Sequence, residues 1–460
     1  MSPIDPFPHL HTRPSHGWVN DPNGIGRWEG RWHVMYQWNP NAPDHGDIHW
    51  GHMSSTDLLS WRDEGVALRP RPGTIDAAGV WSGVAVPEGG GAALVYTAVS
   101  ADASTARVAV ARQESDGDWV QPERTATDHP DHGRWFDVRD PFVVLVGGRR
   151  LGIMGAGQFD ITNGHHGSAE TRERTRTGAV LVYDADDLDD WRLLGTLLTA
   201  AELPAHMVGS GTFWECPQLV PFGERWLLVV SWDEPVPADE RRGESAPERR
   251  HGVAAYVGDL DLSGSVPRFV PTAETPLDHG PDFYAPQLVV DDGRILAWGW
   301  SWEGRGTGTN HRSAADIAAS GWAGTLTFPR EVMAGPSGLP VCMPAHELDR
   351  LRGGGLQVQE VDGVYEMHTS EPAWMHTATG DVMIDLVNDT TGAVRAAWRG
   401  STSGTVDVFA DGSIVEMFTA TGSTTLRAYP AAGERWRVRS TGPAQAQVLH
   451  LPDEPDLPGG

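Results

Sequence analysis

At 460 residues and 49.8 kDa, the chain is longer than one hydrophobic core organises, since single cores stop growing near ~250–300 residues, so a large domain plus a smaller one is expected. The net charge is −27 and the sequence contains no lysine. A field of that sign repels phosphate backbones and anionic lipid heads, which argues against nucleic-acid and membrane partners and favours neutral or cationic small ligands.

Strand signals dominate from the start. Short apolar runs bounded by Gly, Asp or Asn recur at Trp32–Trp38, Ala92–Thr97, Arg107–Ala111 and Pro141–Val146, then at Trp226–Ser231, Val253–Val257 and Ile295–Trp300. Glu29-Gly30, Asp116-Gly117, Gly147-Gly148 and Asp292-Gly293 read as hairpin turns between neighbouring runs. The best helical candidates are short, Ala200–Leu203 and His346–Leu351, so the fold class is all-β. Asp57-Leu-Leu-Ser-Trp61 recurs as Asp187-Leu-Asp-Asp-Trp191, with a degenerate copy at Asp118-Trp119. Such repeated strand–turn–Trp units suit radial repetition, a β-propeller. The charged, Pro-containing segment 233–251 reads as a mobile surface insertion and the tail 452–460 as frayed.

Composition changes near Ser320. The expected division is a propeller over 1–322, a linker over 323–345 containing the Gly/Pro-rich Ala334–Pro340, and a β-sandwich over 346–460. The last stretch has period-2 strands at Ala393–Trp398, Thr405–Phe409 and Ile414–Phe418. The two cysteines, Cys216 and Cys342, lie too far apart in sequence to suggest a disulfide framework or a thiolate metal site. No apolar run approaches the ~18–20 residues of a bilayer span. The first residues, Met1–Pro8, lack a basic region and an apolar stretch, so a cytoplasmic location is expected.

Three acids have unusual neighbours: Asp21 in Trp18-Val-Asn-Asp-Pro-Asn-Gly24, Asp140 in Phe136-Asp-Val-Arg-Asp-Pro-Phe142, and Glu215 in Phe213-Trp-Glu-Cys-Pro217. Read singly, the first is a turn and the second a structural ion pair. A Glu buried between Trp and Cys is expensive, so Glu215 is either paired or kept for proton chemistry. Together they supply what glycoside hydrolysis needs, a nucleophilic carboxylate and a carboxylic acid to protonate the leaving oxygen. The 20 tryptophans suit sugar rings, which lay their C–H faces on aromatic planes, although most must serve the core. A metal reading would use His45, His49 and His52, but no flanking acidic ligand motif accompanies them.

These blocks resemble glycoside hydrolase family 32, the β-fructofuranosidases. The resemblance runs through Trp18–Gly24, Tyr36-Gln-Trp-Asn-Pro40, Trp50–Trp61, Trp81-Ser-Gly83, Arg139-Asp-Pro141, Trp214-Glu-Cys-Pro217, Asp282–Gln287, Leu326–Glu331 and Asp411–Phe418, in the family's order. It implies a five-bladed β-propeller followed by a β-sandwich, acting without metal or organic cofactor. Residue by residue, it implies Asp21 as nucleophile, Glu215 as general acid/base and Asp140 as transition-state stabiliser. Asn20, Gln37, Trp81, Ser82 and Arg139 match positions lining the fructosyl pocket, and Cys216 either tunes the acid/base or packs. The chain departs from the pattern at His45, where relatives often carry Trp, and at Val84.

The implied reaction is a retaining double displacement on a terminal, non-reducing β-linked fructosyl unit of sucrose or a short fructo-oligosaccharide. Fructosyl transfer to sugar acceptors, exo-hydrolysis of levan or inulin, and a sugar-binding protein without catalysis are the alternatives; the last would be expected to lack a catalytic acid, and all three are present.

Overall fold

The hairpin signals are the turns of the structure. Glu29-Gly30, Gly147-Gly148 and Asp292-Gly293 have positive φ at both positions, the turn geometry whose twist matches flanking antiparallel strands. The computed structural model describes residues 5–101, 106–114, 117–130, 133–159, 176–204, 207, 211–236, 249–303, 312–400 and 404–452. Asp116 and most of the 233–251 segment and the tail lie outside these. The described ends of that segment are strand: Arg225–Pro235 pairs with Arg249–Asp261.

Five antiparallel sheets follow one another along the chain. The first is built from Gly17–Trp28, Arg31–Asn39, His49–Ser55 and Arg62–Leu68, and the second from Gly79–Glu88, Gly91–Val99, Ala106–Gln113 and Trp119–Val120. The third uses Trp135–Val146, Arg149–Phe159, Arg176–Asp184 and Arg192–Thr199, and the fourth Phe213–Phe222, Arg225–Pro235, Arg249–Asp261 and Arg268–Pro276. The fifth pairs Tyr284–Asp291, Arg294–Ser301, Arg330–Ala334 and Pro340–Pro344. The leading strand of each sheet touches that of the next, and the fifth touches the first. A parallel pairing of Trp322–Ala323 with Gly17–Trp18 fastens the end of this series to its beginning.

The Asp-Leu-x-x-Trp echo occupies one topological place, the connection between third and fourth strands of the first three sheets. Asp57 Oδ1 accepts the backbone N–H groups of Leu59 and Ser60 at 3.0 and 2.9 Å, and Asp187 Oδ1 accepts that of Asp189 at 3.0 Å. These are Asx turns that reverse the chain. Both short helical candidates form 3-10 turns, Ala200–Glu202 and His346–Leu351. Among the described residues one α-helix lies outside those candidates, Ala314–Ser320, with Ser313 and Asp316 forming a capping box and Gly321 in the left-handed C-cap.

Residues 323–345, expected as a linker, carry strands of the fifth sheet instead: Thr325–Leu326 and Arg330–Ala334 hydrogen-bond to Arg294–Ser301. The Gly/Pro-rich stretch supplies the turn between Arg330–Ala334 and Pro340–Pro344, not a free connection. From Arg352 onward the strands form a six-stranded and a five-stranded sheet. Met375, Val408 and Met417 from the first share one apolar core with Met367, Ile384, Leu386, Trp436 and Val438 from the second.

A buried ionic network joins these two sheets to the preceding five. Arg330 is fully buried and bonds Glu416 Oε2 through Nε and Nη2 at 2.9 and 2.5 Å, Asp278 Oδ2 at 2.7 Å, and the hydroxyls of Ser423 and Thr425. His11 bridges Asp411 Oδ2 at 2.8 Å and Glu416 Oε1 at 3.0 Å. The acids of the Asp411–Phe418 block and the arginine of the Leu326–Glu331 block thus hold the two parts together.

Removing one partner leaves an uncompensated buried charge, so Glu416→Gln should cost about 3–5 kcal/mol, read as a fall in Tm. Burial raises the cost of ionising Asp278 and Glu416, but Arg330 and their hydrogen bonds outweigh it and hold both below the usual carboxylate range. Burial likewise opposes a charge on His11, and Asp411 and Glu416 outweigh it, raising the imidazole above 6.5. The carboxylate contribution is therefore lost as pH falls below about 4, and the His11 contribution as pH rises above about 6.5. Thermal melts should show maximal stability between these limits, and His11→Gln should flatten the alkaline fall.

Candidate active site

Each leading strand breaks its ladder at the same level. The registers skip across Asn20-Asp21, Ser82, Asp140-Pro141, Cys216-Pro217 and Ala285-Pro286. In four of the five, the acid, Cys or Ala is followed by proline, which has no N–H to give the neighbouring strand and forces a bulge. In the second sheet Gly83 takes this place. A Cβ there would lie 2.0 Å from Val95 O, and its N–H turns to Asn23 Oδ1 at 3.0 Å. Asp140, Cys216 and Ala285 adopt positive φ of 62°, 45° and 46°, a conformation L-residues hold only under constraint from their surroundings.

The five breaks align two sets of equivalent side chains. One is Asn20, Trp81, Arg139, Glu215 and Tyr284; the other, one residue on, is Asp21, Ser82, Asp140, Cys216 and Ala285. All of the first set, with Asp21, Asp140, Trp18, Gln37, His45, Asp233, Trp300 and Trp302, line a cavity of about 350 Å³. Beyond the bulges, amides tie the leading strands together. Gln287 accepts from Ile25 N at 2.7 Å and donates to Gly83 O at 2.6 Å, and Gln218 accepts from Leu288 N at 3.0 Å.

Every residue expected at the site from sequence comes together here. Asp21 Oδ2 accepts the Ser82 hydroxyl at 2.5 Å and the Gln37 amide at 3.0 Å, and Oδ1 accepts the Asn20 amide at 3.2 Å. Burial pushes the Asp21 carboxyl up, Ser82 pulls it down and Glu215 adds to the rise. Its donors are placed to support the anion against the loss of water. The Cys216 thiol lies 3.5 Å from Asp21 Oδ2 and 3.6 Å from Asp140 Oδ2, bridging the two acids.

Glu215 is paired on both oxygens. Arg139 Nη2 donates to Oε1 at 2.7 Å and the Tyr284 hydroxyl donates to Oε2 at 2.7 Å. Burial drives the Tyr284 hydroxyl far above its ordinary range, so it remains a donor. The Arg139 guanidinium lies 4.3 Å from the Phe213 ring, which fixes its direction. Asp140 is nearly inaccessible, at 5% exposure, and Cys216 N donates to its Oδ2 at 3.1 Å. Burial pushes its carboxyl up to about 7; Arg139 opposes this while Glu215 and Asp21 reinforce it.

Tyr284, Trp300 and Trp302 were missed as site residues. Trp300 and Trp302 stack with centroids 4.8 Å apart, and Tyr284 lies 4.6 Å from Trp302. Their signal was present, since Tyr284 immediately precedes Ala285-Pro286 as Glu215 precedes Cys216-Pro217, and Trp298, Trp300 and Trp302 share a strand-like period. The three histidines of the metal reading diverge. His45 lines the cavity between Trp18 and Trp81, with centroids at 6.4 and 6.3 Å. His49 Nδ1 donates to Asp47 O at 2.7 Å, and His52 pairs with His33.

Asp140→Asn tests the cost of this arrangement. Below about pH 4 the carboxyl is neutral in the folded and unfolded chains alike, and the variant should match the native protein in stability. As pH rises from about 4 to about 7 the unfolded chain ionises while the folded carboxyl keeps its proton, so the native protein loses stability that the variant retains, and above pH 7 the difference is constant. The variant should therefore melt higher than the native protein at pH 8, by on the order of 1–3 kcal/mol, while losing activity. Equal melting at pH 8 would contradict this electrostatic picture.

The model of the glycosyl hydrolases family 32 N-terminal domain matches residues 11–339. A sucrose-6-phosphate hydrolase of Klebsiella pneumoniae is 33% identical over 357 residues, covering 75% of this chain and 68% of that protein. A raffinose invertase of Escherichia coli is 31% identical, covering 75% and 66%. Among solved structures, a family 32 beta-fructofuranosidase of Bombyx mori superimposes with a TM-score of 0.75 at 22% identity, covering 97% of this chain and 95% of that one. With all five sheets lying in the matched region or its immediate continuation, the chain belongs to glycosyl hydrolase family 32 and is a glycosidase.

Proposed function

We propose that the protein is a retaining β-fructofuranosidase that releases terminal non-reducing β-D-fructofuranosyl units from sucrose and short fructo-oligosaccharides. The observation that carries this reading is the convergence of Asp21, Asp140 and Glu215, from three different sheets, on one cavity walled by Trp18, Trp81, Trp300 and Trp302. The five sheets are read as the blades of a five-bladed β-propeller whose axis holds the site, and the last two as a β-sandwich. We read the boundary between them near His346, a reading supported by the pairing of residues 325–344 within the fifth sheet.

In the first step Asp21 attacks the anomeric C2 while Glu215 gives its proton to the departing oxygen. The products are glucose and a fructosyl ester on Asp21. Glu215, now the base, takes a proton from water, which attacks C2 and releases fructose and the Asp21 carboxylate. Asn20, Gln37 and Ser82 orient Asp21 through the hydrogen bonds described above. Arg139 and Tyr284 hold the Glu215 carboxyl in one orientation, and Asp140 receives fructosyl hydroxyls. No step calls for a metal or organic cofactor.

The similar proteins include hydrolases of a phosphorylated sucrose and an invertase of raffinose. For this chain we favour a sugar without phosphate, because four acidic side chains line the cavity against the single Arg139 among the described lining residues, and that guanidinium is bound to Glu215. An anionic substituent would meet repulsion there.

Incubation with sucrose and separate assay of glucose and fructose tests the reading. Equal release is expected, falling by roughly 10³-fold or more in Glu215→Gln, with sucrose preferred over its 6-phosphate. Glucose in excess of fructose would make the protein a fructosyltransferase in practice. Release of neither sugar from sucrose, kestose or levan would overturn the proposal.

A further inference from the structure

A second polar cavity, of about 260 Å³, opens between the outer strands of the first and second sheets, lined by His52, Glu64, Arg69, Gln113, Asp118 and Trp119 among others. None of these lines the catalytic cavity. Its walls are clasped by Gln121, which accepts from Arg69 N at 3.0 Å and donates to Arg69 O at 2.9 Å.

A chain of hydrogen bonds fixes the chemistry of His52 in its lining. His33 stacks flat on Trp28, centroids 3.8 Å apart, and its Nε2 meets Trp28 O at 3.3 Å. A carbonyl only accepts, so His33 carries its proton on Nε2 and presents Nδ1 as an acceptor. His52 Nε2, 2.9 Å away, must then donate to it. His52 is itself 9% exposed, and with Nε2 committed its remaining ring nitrogen, Nδ1, is a lone pair with no hydrogen bond among the described residues. Burial pushes both imidazoles down to about 4, so this neutral arrangement holds at neutral pH.

That lone pair is open to the cavity, where a donor entering from solvent can reach it. The same cavity is lined by the carboxyl groups of Glu64 and Asp118, the Arg69 guanidinium, the Trp119 indole and the Gln113 amide, whose Nε2 also donates to Gly117 O at 2.7 Å. Mixed donors and acceptors around an aromatic plane fit a ligand with several hydroxyl groups and C–H faces, and no net charge is required of it. We propose that this cavity is a second, non-catalytic binding site for a neutral sugar, with a sugar hydroxyl donating to His52 Nδ1 and a ring face against Trp119.

The test uses Asp21→Asn protein, so that sucrose is not consumed, with ligand-observed NMR titration and crystals soaked in sucrose. Two binding components are expected, and adding Trp119→Ala should remove one of them. Trp119 lies at the partly exposed mouth, so this change is compatible with folding; His52→Phe should have the same effect. Turnover of sucrose by Trp119→Ala alone should match the native protein. The soaked crystal should place a hydroxyl within hydrogen-bond distance of His52 Nδ1. Identical titrations with and without Trp119→Ala, together with a cleft holding only water, would overturn the proposal. Failure of the fructosidase reading would look different, as loss of the catalytic-cavity component with this one retained.

Discussion

The site depends on a single backbone constraint, the interruption of five leading strands at one level. A continuous ladder would alternate side chains up and down each strand, so that successive residues faced opposite sides. At each bulge two successive residues escape that alternation. Glu215 reaches into the cavity while Cys216, next in sequence, touches Asp21 and Asp140. The prolines at 22, 141, 217 and 286 enforce the break by withholding an N–H, and the amides of Asn23, Gln218 and Gln287 take up backbone groups on other leading strands. Positive φ at Asp140, Cys216 and Ala285 is the local strain that this framework sustains.

Within that frame, the acids have sharply different surroundings. Asp21 has hydroxyl and amide donors, Glu215 has a guanidinium and a phenol, and Asp140 has one backbone N–H with a more distant arginine, Arg139 Nε at 3.8 Å. Environments that separate three like groups are how one site assigns them different tasks. The expectation that Glu215 is either paired or poised resolves towards pairing, with partners from the third and fifth sheets. Arg139 is legible beside Asp140; Tyr284 carries its signal in the Ala285-Pro286 that follows it, as Cys216-Pro217 follows Glu215, but that parallel acquires meaning only when the bulges are aligned.

Much of the fold could be read from the sequence, for identifiable reasons. Strand cores such as Trp32–Trp38 and Ile414–Phe418 combine apolar runs with turn residues, and the Asx-turn echo marks the same connection in the first and third sheets. The linker was misread because Gly and Pro within Ala334–Pro340 signal a turn equally well between domains or between two strands of one sheet. The capped helix at Ala314–Ser320 is brief and buries no side chain, so it lacks the periodicity that exposes longer helices. The Arg330–Glu416–Asp278–His11 network was also hidden. Its members are distant in sequence, and nothing in a lone motif tells an acid that binds substrate from one that fastens sheets together.

The account stands most directly on Asp21 becoming bonded to the sugar. Rapid acid quench of the protein turning over sucrose, followed by peptide mass analysis, should find the peptide containing Asp21 heavier by one anhydrofructosyl group. NMR of the first product should show β-fructofuranose before it mutarotates. An unmodified Asp21 peptide together with the α anomer as first product would contradict the account, because water would then have displaced the leaving group directly and the bulged strands would be presenting Asp21 as a base.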